Sequence, residues 1–115
     1  MKEKIYEENR PWGSFREFTK NTPSTLKILA VHPNEVLSLQ SHKERSEFWR
    51  VLSGSGIAEV DDKKTEIKKG DEIRIPLGSK HRLSAGSEGL EVLEIAMGNF
   101  DENDITRYQD KYGRI

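Results

Sequence analysis

Four side chains in this sequence have types and spacing that suit metal chemistry. Gln40 and His42 lie two apart in an extended run, so the pleat turns both to one face. Glu47 follows five residues later, and His81 supplies a second imidazole from far along the chain, just after Pro76-Leu77-Gly78. Two imidazoles, a carboxylate and an amide oxygen are suitable ligands for a divalent ion such as zinc, manganese or iron. Spacing alone leaves the ordinary alternative open, in which the histidines are half-buried or surface residues and Glu47 is solvated. A second carboxylate, Glu94, lies where Leu90, Val92, Glu94 and Ala96 share one face and Leu93, Ile95 and Met97 share the other. Either face can be the inner one. If Glu94 points inward, its apolar neighbours raise its pKa toward that of a general base.

The elements that must position these groups read as strands. Leu26, Ile28 and Ala30 alternate on one face, then Val36, Ser38, Gln40 and His42, then Glu47, Trp49, Val51 and Ser53. Ile57–Val60 and Thr65–Lys68 flank a polar hairpin tip at Asp61-Asp62-Lys63-Lys64. Glu72–Ile75, His81–Leu83 and Leu90–Met97 complete the series, the last two separated by Gly86 and Gly89. Short strands punctuated by Gly and Pro predict an all-β sandwich or barrel. Only the end departs: Asp101, Glu102 and Asp104 favour a helix N-terminus, with Ile105, Tyr108 and Gln109 at helical spacing, so a short helical or irregular C-terminal segment is expected.

The chain's 115 residues fit one domain, read as an arm over 1–9, a barrel over 10–98 and a tail over 99–115. A net charge of −1 gives no electrostatic footprint for nucleic acid or an anionic membrane. No apolar run approaches the length of a membrane span, and Met1–Arg10 is too charged for a secretory signal. With no cysteine, thiolate and disulfide chemistry are excluded, which suits a cytoplasmic protein. At 33% hydrophobic and 34% charged the core is thin, which favours support from a second subunit. The charged opening Lys2–Glu8 reads as an arm that adds to a partner's sheet, so a homodimer is expected. Trp12 and Trp49 are read as core or interface residues, and His32, before Pro33, as a strand-end residue with no ligand role.

The order of the pieces resembles the two cupin motifs. His42, Glu47 and Gly54 match the first, with Gln40 where the pattern has a histidine; Gly70, Pro76, Gly78 and His81 match the second position by position, with Ala85 where it ends in asparagine. Within the cupins the chain is most similar to type II mannose-6-phosphate isomerases, usually the C-terminal domain of a bifunctional guanylyltransferase–isomerase. The likeness is carried by Arg10-Pro11-Trp12-Gly13-Ser14-Phe15, by Leu37–Gln40 with His42, Arg45, Ser46, Glu47 and Trp49, by Ile75-Pro76, Gly78 and Lys80–Leu83, and by Asp104-Ile105, Arg107, Asp110 and Tyr112–Arg114. The sequence departs from that family at Lys43, Glu44 and Phe48, where histidines are common.

The resemblance implies a jelly-roll barrel, or double-stranded β-helix, that interconverts mannose 6-phosphate and fructose 6-phosphate through an enediol. It implies a divalent metal on Gln40, His42, Glu47 and His81, zinc foremost, with manganese, iron, cobalt and nickel also suited to those donors. Arg107 is the tail residue placed for the substrate or enediolate. Arg82 and Lys80, beside His81, are candidate phosphate contacts or plain surface charges, and for Lys80 the surface reading is preferred. The alternative is a metal-binding cupin that recognises a sugar or nucleotide sugar without turning it over.

Overall fold

The computed structural model describes residues 5–114. Two strands, β1 (Tyr6–Arg10) and β2 (Gly13–Glu17), form a small hairpin of their own. Seven more build the main sheet: β3 (Ser24–Val31), β4 (Leu39–Ser41), β5 (Arg45–Val60), β6 (Lys63–Lys68), β7 (Glu72–Ile75), β8 (His81–Gly98) and β9 (Thr106–Gln109). The framework is the antiparallel ribbon of β5 and β8, paired from Arg45↔Gly98 to Val60↔His81 with register shifts at Val51/Ser53 and Gly54/Gly56. Those bulges let each strand serve two layers. The first half of β5 and the second half of β8 carry β7 and β3 on their outer edges; the other halves carry β6 and β4, with β9 beyond β4.

Two glycines make the bend possible. A Cβ at Gly54, whose φ is +79°, would lie 2.2 Å from the Gly89 carbonyl oxygen, and one at Gly56 would lie 2.0 Å from that of Ser84. Only a residue without a side chain lets the backbones approach so closely. Gly86 and Gly89 sit inside β8 rather than between two strands, where a Cβ would come within 3.2 Å of the Ser55 or the Val31 carbonyl oxygen, respectively. The hairpin tip is also tighter than its composition implied: Lys63 pairs with Val60, leaving Asp61 (φ +54°) and Asp62 as the turn.

Trp49, Val51, Leu83 and Val92 are the centre of a buried cluster between the layers, joined by Ile67, Ile75 and Leu90. Alternation along β8 fills both faces. Glu94 pairs with Trp49 and Lys27 on the inner face, whereas Ile95 pairs with Phe48 and Leu26 on the outer one, where Ile5 and Phe18 cover Phe48, Ile95 and Met97. Leu26 and Ile28 stay exposed on that outer face. Trp49 is core, as expected, but Trp12, at the tip of the first hairpin, is 71% exposed.

The end of the chain is a strand, not a helix. Ile105 and Arg107 alternate inward against exposed Thr106 and Tyr108, a period of two, and β9 adds to the edge of β4. The Asp104 carboxylate, which looked like a helix cap, accepts the backbone N–H groups of Lys43 and Glu44 at 2.9 Å each. The segment set aside as a tail is therefore partly barrel. At the other end Lys2–Lys4 of the expected exchanging arm lie outside the described residues, and Tyr6–Glu8 pair with β2 of the same chain.

Candidate functional site

The mouth of the barrel gathers the groups that the spacing singled out. Gln40 on β4 pairs directly with His81 at the start of β8 and with Arg107 on β9, while His42 follows β4 and Glu47 sits near the start of the long β5. Donor atoms of His42, Glu47 and His81 all lie within 4.8 Å of one another, and all three residues are buried. His42 Nε2 is 3.4 Å from Glu47 Oε2, and His81 Nε2 is 3.5 Å from Glu47 Oε1. The other ring nitrogens are tied to backbone: His42 Nδ1 donates to the Asp104 carbonyl at 2.7 Å and His81 Nδ1 to that of Ser79 at 3.0 Å. A carbonyl only accepts, so both Nδ1 atoms hold a proton and both Nε2 atoms face the carboxylate. Burial, above all, pushes the His42 pKa down, which keeps the ring neutral and able to ligate.

The rest of the shell is equally specific. Trp49 Nε1 donates to Glu47 Oε1 and Arg45 Nε to Glu47 Oε2, each at 3.2 Å. Gln40 spends its amide nitrogen on Ser38 Oγ at 2.9 Å, which leaves its oxygen for the cavity it lines. Two imidazoles, a carboxylate and an amide oxygen, oriented by outer hydrogen bonds, fit a first-row divalent ion and leave room for one or two further ligands.

Gln40, Glu47 and His81 line a cavity of about 210 Å³. Glu94 lies in its wall, 6% exposed, which settles the face left open by the sequence. Burial first, and then the charge of Glu47, raise its pKa to about 7. Arg107 reaches the same cavity and its Nε is buried without a hydrogen-bond partner among the described residues. Arg82 lines it too, but donates to the side chain of Gln109 and lies 3.7 Å from Glu59. Lys80 does not line it; its ammonium sits 4.4 Å above the Tyr108 ring, outside. His32 is exposed on a different surface. Three basic residues of the cavity had no role assigned from sequence: Arg45, 8% exposed between His42 and Glu47; Lys27, brought by its register with Glu94; and Arg114, gripped by Asp110 at 2.6 and 3.0 Å. The motif positions Arg45 and Arg114 were the available signal; nothing local marked Lys27.

The departures from the family pattern fall outside this cavity. Phe48 points to the opposite face of β5 from Glu47, against Phe18 and Ile95, and Lys43 and Glu44 are exposed. Ala85 pairs with Gly56 on the far half of the ribbon.

A bent ribbon of two long strands with a histidine–glutamate cluster at its mouth defines a cupin. A cupin protein from Bacteroides fragilis superposes with a TM-score of 0.62 at 27% identity, over 72% of this chain and 76% of that one. Residues 1–110 match the family model for the mannose-6-phosphate isomerase C-terminal domain, and the chain belongs to that family. The alginate biosynthesis protein AlgA of Pseudomonas aeruginosa is 38% identical over 107 residues, and the mannose-1-phosphate guanylyltransferase ManC of Salmonella typhimurium 32% over 108. The alignments cover 91% and 92% of this chain but only 22% of either relative's length. No helix among the described residues is long and apolar enough to cross a membrane.

Proposed function

We propose that the chain is a metal-dependent isomerase that interconverts mannose 6-phosphate and fructose 6-phosphate. The observation that carries this reading is the meeting, at the mouth of one barrel, of a two-histidine, one-glutamate cluster with a raised-pKa carboxylate and an arginine whose Nε is buried without a hydrogen-bond partner among the described residues. A divalent ion held by Gln40, His42, Glu47 and His81, zinc foremost, would polarise the sugar carbonyl and stabilise the enediolate.

The chain's own residues do the rest. Glu94 takes the proton from the carbon next to the carbonyl and returns it to the former carbonyl carbon, while the hydroxyl proton passes from the one oxygen to the other, and a pKa of about 7 suits a group that must both accept and donate. Arg107 offers its free guanidinium edge to the developing oxyanion, and Arg82 at the cavity wall is the nearer of the two proposed phosphate contacts. Buried Trp49 and Leu83 help exclude water from one side of the cavity. Pairing of two copies is part of the same reading, supported by exposed Leu26 and Ile28 on the outer face of the edge strand β3.

The non-catalytic reading, a cupin that recognises a sugar without turning it over, rested on the histidines replaced at Lys43, Glu44 and Phe48. Those side chains stand outside the cavity, which favours the isomerase. The test is formation of fructose 6-phosphate from mannose 6-phosphate by metal-loaded protein, and its loss on chelation. Metal-loaded protein that binds the sugar phosphate but never converts it would support the binder instead.

A further inference from the structure

Arg45 stands where only a cation is welcome. Its Nη2 donates to His42 Nε2 at 3.2 Å, its Nε donates to Glu47 Oε2 at 3.2 Å, and its Nη1 reaches the Asp101 carbonyl at 3.4 Å. The guanidinium carbon lies 4.3 Å from the centroid of Phe100, whose ring also carries the Lys27 ammonium at 4.3 Å. The two atoms that Arg45 holds, His42 Nε2 and Glu47 Oε2, face each other at 3.4 Å within the cluster that would hold the metal. His42 Nε2 has a single lone pair, since its Nδ1 keeps the proton for Asp104. It can serve Arg45 or an ion, and not both.

We propose that Arg45 is a built-in competitor for the metal: without an ion it satisfies the donors of His42 and Glu47, and an ion binds only as the arginine releases His42. An arginine cannot shed its charge to make way, so release has to be a movement. Phe100 provides the resting place, because the guanidinium already stacks on that ring and can keep the contact while its Nη2 turns into the cavity. The arrangement keeps the ligands ordered before loading, at the expense of affinity. It also leaves Arg45, once freed, facing the same cavity as Arg107.

This inference rests on the metal-site part of the proposed function and not on the isomerase activity. A supporting hydrogen bond to a ligand strengthens metal binding, whereas a competitor weakens it, so the sign decides. Zinc titration calorimetry on chelator-stripped protein should show Arg45→Gln binding zinc about tenfold more tightly than the unmutated chain, the equivalent of one displaced charge-assisted hydrogen bond. The stripped variant should also melt at a lower temperature than the stripped parent. Unchanged or weaker zinc affinity overturns the inference; an unmutated chain that binds no zinc at all overturns the metal site itself. If Arg45→Gln does not fold, arginine-labelled NMR of the unmutated protein answers the question. The Arg45 side-chain resonances should shift as zinc is added, and resonances unmoved at saturation would refute the release.

Discussion

Replacing Glu94 by glutamine should make the metal-free protein more stable at pH 8 and leave it inactive. Glu94 is 6% exposed in a wall that it shares with Glu47, and its pKa rises from 4.5 to about 7. A carboxyl with a raised folded-state pKa adds stability below its unfolded value, and that stability is lost as the pH climbs through the folded one. At about 1.4 kcal/mol per tenfold in proton affinity, the charged form is disfavoured by about 3 kcal/mol at pH 8 relative to pH 4.5. Glutamine keeps the shape and never ionises, so Glu94→Gln should recover most of that amount at pH 8 and almost none at pH 4.5. For a chain of this size the difference is on the order of 10 °C in Tm. Chelator-stripped parent and variant should be melted in parallel from pH 4.5 to 8, since a bound cation would pull the carboxylate back down. Isomerase activity of the metal-loaded variant should fall by about 10²- to 10⁴-fold, the range expected for a lost proton-transfer group. A variant less stable than its parent at pH 8, or equally stabilised at both ends, would refute the reasoning.

Asp104→Ala removes the acceptor for the Lys43 and Glu44 amides and loosens the carbonyl that holds His42. Calorimetry should show zinc affinity falling by about 10-fold or more, with stability down by about 1–2 kcal/mol in urea melts. The Arg107 Nε makes no hydrogen bond to the described residues, so on Arg107→Ala Tm should hold within about 2 °C while kcat/KM falls at least about 100-fold, and Arg107→Lys should restore only part. Gly54→Ala drives a Cβ onto the Gly89 carbonyl at a positive φ, so soluble yield or Tm should collapse with the site residues untouched.

How far the sequence could be read depended on whether a residue's role is local or is made by the fold. His42, Glu47 and His81 were legible because a pleat and two punctuated turns suffice to place them, and the structure brings their donors together. Glu94 was undecided for a physical reason: β8 is buried on both faces, so alternation could not tell the inner from the outer one. The C-terminal strand was hidden by Asp101, Glu102 and Asp104, which look like a helix start until Lys43 and Glu44 are seen to use the Asp104 carboxylate. Arg45 was visible as a motif position, but its place between His42 and Glu47 depends on Phe100 and Asp101, more than fifty residues away. Lys27 enters the cavity only through its register with Glu94, which no local pattern records.

The central claim is that a metal held at this cluster supports aldose–ketose conversion. The most direct measurement is NMR of mannose 6-phosphate incubated with zinc-loaded protein in deuterated water, with a chelator-treated sample beside it. Fructose 6-phosphate should appear in the first sample with solvent deuterium incorporated into the sugar, and should not form in the second. Protein shown by elemental analysis to be fully loaded, yet forming no fructose 6-phosphate, would contradict the claim.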